Sequence, residues 1–340
     1  MLWHRHSCSG RQVLDPKIDP RSDSAILVVG SINADLIAYV DNSKRIGNYV
    51  FGDDFRFNLG GKGLNQAVNV AAAGHHSILV GRVGNDAFGH EIVRELQGKS
   101  VKVNQIVRDT VAHTGIGHIR VNESGEYDTV VINGANSFLD NKQIDEVALP
   151  ENNVSFVLMN YEVLANVVAY AAKSFRALGA QTIVNLSPIA EGVTYTVSDA
   201  DYLITNDEEA RAVLKVDEKD VLILAKLLQA QGAKNVVITR GSEGVMGVNS
   251  RGESFAFERE PVTVENTIGA GDTFLSIFAV ALNSGTTFAQ ALEVANYAAA
   301  QVCAKAESFL DSADIDVAAK KFNLGISRKK NKEGTELLHD

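Results

Sequence analysis

The segment 26–30 (ILVVG) is an unbroken apolar, mostly β-branched run stopped by a glycine. A strand with one wet face alternates apolar and polar residues, so a run of this kind reads as a strand buried on both faces. Similar runs recur at 78–80, 156–159, 182–185, 202–205 and 236–239, most of them separated by helical stretches such as 163–178 and 221–229. Strands alternating with helices impose right-handed crossovers, and hence an α/β fold with a mostly parallel central sheet covered on both sides.

Two regions break this rhythm. Residues 35–40 with 55–59, and 113–121 with 127–132, alternate apolar and polar positions and are joined by turn-rich segments. They predict antiparallel strands near 35–60 and 113–132 that form a small lid, a device that keeps water off a reactive group during transfer. Two helical stretches, 271–282 and 288–305, are expected to close the fold.

The 340 residues suit one large domain over 25–322, between a flexible extension at 1–24 and a polar tail at 323–340. The extension lacks an apolar signal core, and no run reaches the roughly 20 apolar residues of a membrane span. Acidic residues exceed basic ones by 42 − 32 = 10. A surface of that sign repels nucleic acid and anionic membranes on average, so any anionic ligand has to be held by local geometry. Cys8 and Cys303 are too few for a disulfide framework or a multi-cysteine zinc site. A cytoplasmic protein is expected, with organelle targeting by the extension as the alternative.

The segment 266–272 (NTIGAGD) runs into an apolar helix. Small residues before a helix expose backbone N–H groups at the positive end of its dipole, which suits an anion in transit. Asp272 beside such a hole is placed to take a proton from an attacking hydroxyl. An Asp in the first helical turn after a glycine loop explains Gly-x-Gly-Asp alone equally well. The segment 58–65 (NLGGKGLN) is not a phosphate-binding Walker loop, because Gly63 follows Lys62 and the upstream glycine is missing. The stretch after the first strand, 30–35 (GSINAD), lacks the dinucleotide glycines. What remains is a glycine turn offering Lys62 and Asn65 to a polyhydroxy ligand, with Asn33 and Asp35 joining from the end of the first strand. The segment 206–209 (NDEE) opens a helix, where its carboxylates cap the dipole and are also suited to Mg²⁺ through water. The segment 239–244 (TRGSEG) follows a strand end, where ligands gather in open sheets, and reads equally as a hairpin turn. No metal-protease His spacing or serine-hydrolase elbow occurs.

Over about residues 25–305 these motifs, in this order, resemble the ribokinase/phosphofructokinase-B type family of carbohydrate kinases. The resemblance implies a ribokinase-like, Rossmann-type three-layer sandwich with a β lid, acting as an ATP-dependent kinase on a sugar alcohol group, D-ribose before others. It makes Asp272 the general base and the backbone of Gly269, Ala270 and Gly271 the anion hole. Sugar contacts would come from Asn33, Asp35, Gly61, Lys62, Asn65 and Glu162, and ATP contacts from Asn206, Thr239, Gly241, Gly244 and Asn296. Mg²⁺ would sit near Glu209, through water, and a monovalent cation near Asn266 and Ile268. Two departures weaken the expectation of potassium: Asn266 replaces the usual Asp, and 306–311 (AESFLD) replaces the usual Lys-Gly-Ala segment, with Asp311 as a substitute anionic ligand. A homodimer through lid strands is expected. The rivals are a same-family kinase for deoxyribose, fructose or a nucleoside such as pseudouridine, and a catalytically silent sugar or nucleotide sensor.

Overall fold

The computed structural model describes residues 24–322 apart from positions 123, 125, 126, 150, 151 and 306. The expected extension therefore lies outside the described residues except for Ser24, and the expected tail lies wholly outside them. The chain opens with β1 (Ala25–Val29), the lid hairpin β2 (Asn33–Ile46) and β3 (Tyr49–Gly60), then α1 (Lys62–Ala72), β4 (His76–Gly84), α2 (Ala87–Gly98), β5 (Val101–Lys102) and β6 (Ile106–Asp109). A second lid hairpin, β7 (Gly115–Val121) and β8 (Tyr127–Ile132), precedes α3 (Asn141–Val147), β9 (Val154–Asn160), α4 (Ala165–Ala177), β10 (Gln181–Asn185) and β11 (Tyr202–Asn206). The remainder is α5 (Asp207–Leu214), α6 (Val221–Ala230), β12 (Asn235–Thr239), β13 (Val245–Val248), β14 (Ser254–Phe257), α7 (Ala270–Asn283), α8 (Phe288–Val302) and α9 (Ser312–Phe322).

The main sheet runs in the order β14-β13-β12-β11-β10-β9-β1-β4-β5, with β6 also paired to β4. All its pairs are parallel except β12–β13 and β13–β14. The turn at 239–244 is thus the β12–β13 hairpin, one of its two expected readings. Strand β1 shows why its run has no polar position. Ile26 and Val28 pack with Leu64, Phe274 and Phe278 on one face, while Leu27 and Val29 pack with Val168, Phe175 and Leu228 on the other. Each such buried side chain contributes about 1.5–3 kcal/mol, which holds the helical layers to the sheet.

The lid is a separate sheet in the order β3-β2-β7-β8. Each hairpin is antiparallel, as the alternating pattern predicts, and the two meet along a parallel β2–β7 seam running from Asn33 opposite Gly115 to Tyr39 opposite Val121. One helix end and one additional helix differ from expectation. The last predicted helix stops at Val302, and a further helix, α9, follows. Asp311 starts it by accepting bonds from the Ala313 and Asp314 N–H groups at 2.8 and 2.9 Å.

Candidate active site

Successive strands leave β1 in opposite directions, β4 and β5 to one side and β9 to β14 to the other. The carboxyl ends of β1 and β9 therefore border a topological switch point, where open α/β sheets bind ligands. Helix α1 is pressed against this point by glycines. Gly61 has φ 91°, and a Cβ there would fall 2.8 Å from the Ser31 carbonyl oxygen; one at Gly63 would fall 2.6 Å from the Gly30 carbonyl carbon. That approach lets Glu162, just beyond β9, tie the elements together. Its Oε2 accepts from the Lys62 backbone N–H at 3.0 Å and from the Ser31 hydroxyl.

Asp35 reaches the same place from β2. Its carboxylate lies between Gly60 and Gly117, where a Cβ would come within 2.2 and 2.4 Å of it. Burial, then the charge of Glu162, pushes its carboxyl up to about 7. Asn33 is fixed by a residue outside the expected set, Asn136, which lies in the turn after β8. Asn136 Oδ1 accepts from the Ile32 N–H at 2.9 Å, and its Nδ2 donates to Asn33 Oδ1 at 2.7 Å.

Asp272 enters from the first turn of α7. Gly269 has φ 83°, and a Cβ there would fall 1.9 Å from the Ser308 carbonyl oxygen, whereas a Cβ at Gly271 would meet nothing within 4 Å. Among the described residues no side chain caps this helix start; the Ala270 N–H donates to the Thr267 carbonyl at 3.4 Å. The Asp272 carboxylate is buried and accepts from Gln66 Nε2 at 2.9 Å and Asn65 Nδ2 at 3.3 Å. Burial raises its carboxyl above the ordinary range, against the pull of the Lys62 charge and these amides. Asn65 Oδ1 is buried with no partner among the described residues, an acceptor that a ligand hydroxyl would satisfy. Burial opposes the Lys62 ammonium, but the charges of Asp272, Glu162 and Glu209 hold it above its usual range.

The nucleotide candidates stand at neighbouring strand ends, since Asn206 pairs with Thr239 across β11 and β12. Asn206 and Glu209 form a capping box on α5: Asn206 Oδ1 accepts from the Glu209 N–H at 2.7 Å, and Glu209 Oε2 accepts from the Asn206 N–H at 3.1 Å. Gly241 and Gly244 take φ 53° and 90° in the β12–β13 turn. Asn296, on α8, donates to the Glu258 carbonyl at 2.8 Å.

The profile of the pfkB family carbohydrate kinases matches residues 23–313. The chain belongs to this family. This pfkB kinase is 33% identical over 282 residues to the ribokinase of Bacillus subtilis, covering 82% of the chain and 92% of that protein. It is 26% identical over 258 residues to the deoxyribokinase of Salmonella typhi, covering 75% and 84%. Its fold superimposes on the crystal structure of the Thermotoga maritima ribokinase with a TM-score of 0.79 at 27% identity, over 87% of this chain and 99% of that one. The pfkB kinase is accordingly an ATP-dependent carbohydrate kinase.

At the expected monovalent-cation position, Asn266 Oδ1 accepts from the Ile268 N–H at 2.8 Å. Asp311 is turned to the start of α9 and to Lys305 Nζ at 3.6 Å. The expected substitute anionic ligand is thus engaged as a helix cap and ion-pair partner. Among the described residues of the pfkB kinase, no three His, Cys, Asp or Glu side chains gather to hold a metal. Ser31, Asn136 and Gln66 belong to the site without belonging to any of the motifs' expected contacts. For Gln66 the sequence does hold a signal, because Lys62, Asn65, Gln66 and Asn69 form a polar stripe at i, i+3, i+4 and i+7 on an otherwise apolar helix.

Proposed function

We propose that this pfkB kinase transfers the γ-phosphoryl group of ATP to the primary hydroxyl of D-ribose, giving D-ribose 5-phosphate. The observation that carries this reading is the network joining Lys62, Asn65, Glu162 and Asp272, with Asn33 and Asp35 beside it, around one switch point. Its ligand-ready groups suit an uncharged polyol. Asn65 Oδ1 lacks a donor, Asp35 and Glu162 supply acceptors, and no arginine belongs to the set to meet a substrate phosphate.

In the reaction, Asp272 takes the proton of the hydroxyl as its oxygen forms a bond to the γ-phosphorus and the bond to the ADP oxygen breaks. The amides at 269–271 and the Lys62 ammonium offset negative charge on the moving phosphoryl group. Asn206, Thr239, Gly241, Gly244 and Asn296 line the ATP side. With Glu209 Oε2 used in the capping box, Mg²⁺ would be held by phosphate oxygens and water with Glu209 Oε1 as an outer carboxylate, which fits the ion's habit of keeping its waters. Bound there, Mg²⁺ neutralises phosphate charge.

A coupled ADP-release screen over ribose, 2-deoxyribose, fructose, adenosine and pseudouridine tests the substrate. The highest kcat/KM is expected for ribose; preference for 2-deoxyribose, the reading favoured by the Salmonella relative, or for a nucleoside would overturn it. Run with and without K⁺, the same assay is expected to show little activation, given the engaged Asn266 and Asp311. Ligand-induced thermal stabilisation without ADP release would mark a silent sensor instead. Exposed apolar lid side chains, Tyr49 and Phe55 among them, favour a homodimer closed lid to lid, and a monomer mass by light scattering at micromolar concentration would exclude it. We place the enzyme in the cytosol on its cysteine usage, a location that cell fractionation checks.

A further inference from the structure

We propose that Gln66, which lies outside the sugar and nucleotide sets, is a positioning residue that immobilises the Asp272 carboxylate and selects which of its oxygens takes the proton. The inference rests on the reading of Asp272 as the general base. Gln66 is fully buried in α1, and its Nε2 donates to Asp272 Oδ1 at 2.9 Å. Its Oε1 lies 3.5 Å from Asn160 Nδ2 at the end of β9, and Asn160 Oδ1 accepts from the Glu162 N–H at 3.2 Å. The room for Asn160 comes from Gly30, where a Cβ would fall 2.4 Å from its Nδ2.

The two ends of this chain fix the direction of every amide between them. An ionised carboxylate only accepts, so Gln66 presents its NH₂ group to Asp272. A backbone N–H only donates, so Asn160 presents its oxygen to Glu162 and keeps its NH₂ for Gln66. Neither amide can flip without placing like groups against each other at a buried site. Oδ1 of Asp272 is thereby held by a 2.9 Å bond from a side chain oriented at both ends. Among the described residues Oδ2 accepts only the 3.3 Å bond from Asn65, so it is the oxygen free to receive the hydroxyl proton.

The charged groups acting on Asp272 are Lys62 on α1, which favours its ionised form, and Glu162 beyond β9, which opposes it. Gln66 adds a neutral donor on the ionised side. Its removal should therefore slow phosphoryl transfer and move the acid limb of the rate upward, while leaving both substrates bound.

The test measures the single-turnover rate of ribose phosphorylation across pH, with ribose and ATP saturating, for Gln66→Met and Gln66→Glu. For Gln66→Met the rate near neutrality is expected to fall about tenfold and the acid limb to rise by about one pH unit, with both KM values within about threefold of the unsubstituted enzyme. In Gln66→Glu, a second carboxyl against Asp272 should move the limb farther in the same direction. If Gln66→Met does not fold, Gln66→Glu, equal in shape, decides the question by the same shift. A folded variant whose acid limb stays in place, or whose sugar KM rises at an unaltered rate, overturns the inference. Parallel assay of Asp272→Asn separates the two claims: retained turnover there refutes the base itself. Lost turnover there, with unmoved limbs in the Gln66 variants, refutes only the role of Gln66.

Discussion

Asp35 carries its own pH signature. Its carboxyl is held at about 7 against 3.8 for a free one, because burial and Glu162 both disfavour its charge. A raised acid contributes stability that is complete below the unfolded value and is lost as pH climbs through the folded one. Asp35→Asn removes that titration, so its melting temperature should gain on the unsubstituted enzyme between about pH 4 and about pH 7. Scanning fluorimetry checks this; parallel curves would mean that Asp35 is ionised in the fold throughout. The contribution of Asn136 is different in kind. It holds Asn33 Oδ1, so Asn136→Ala should raise the ribose KM about tenfold, the worth of one lost hydrogen bond, and leave the ATP KM unchanged. Equal changes in both constants would contradict that role. Asn136 was not legible in the sequence because it sits in a short turn with no periodicity, and its partners at Ile32 and Asn33 are more than a hundred positions away.

Helices α1 and α7 form the working joint of the site. Lys62, Asn65, Gln66 and Asn69 on α1 meet Asp272, Thr273 and Ser276 on α7, through bonds that include Asn69 Nδ2 to Thr273 Oγ1 at 3.2 Å and Ser276 Oγ to the Gln66 carbonyl at 3.1 Å. The joint depends on Gly269, whose positive φ and closeness to Ser308 no other residue tolerates. Gly269→Ala is predicted to cost about 1–3 kcal/mol in urea unfolding and to abolish turnover. An unchanged unfolding midpoint would refute the strain argument. The parallel strands were legible because burial on both faces leaves an unbroken apolar run, and the lid hairpins because one wet face leaves an alternation. The β2–β7 seam and α9 were not. A pairing between distant strands leaves no local pattern, and the capping signal of Asp311 falls in a segment whose family resemblance points to cation binding.

At the scale of the molecule, a chain with a net charge of −10 still assembles a site for a polyphosphate. It does so by concentrating one half-buried lysine, uncapped helix amides and neutral side-chain amides at the switch point of the sheet, under a lid built from a second sheet. Asn33, Lys62, Asn65, Glu162 and Asp272 come from widely separated parts of the sequence, and it is the family resemblance that groups them into one expected site. Their convergence follows from topology, because β1, β9 and the starts of α1 and α7 end at one edge. If that convergence serves phosphoryl transfer, removing the base should leave binding intact and stop the chemistry. The direct measurement is ATP-dependent turnover of ribose by Asp272→Asn, with ribose and ATP affinities taken on the same preparation. Affinities near those of the unsubstituted enzyme with turnover lowered by about 10²–10⁴ are predicted; near-normal turnover would contradict the account.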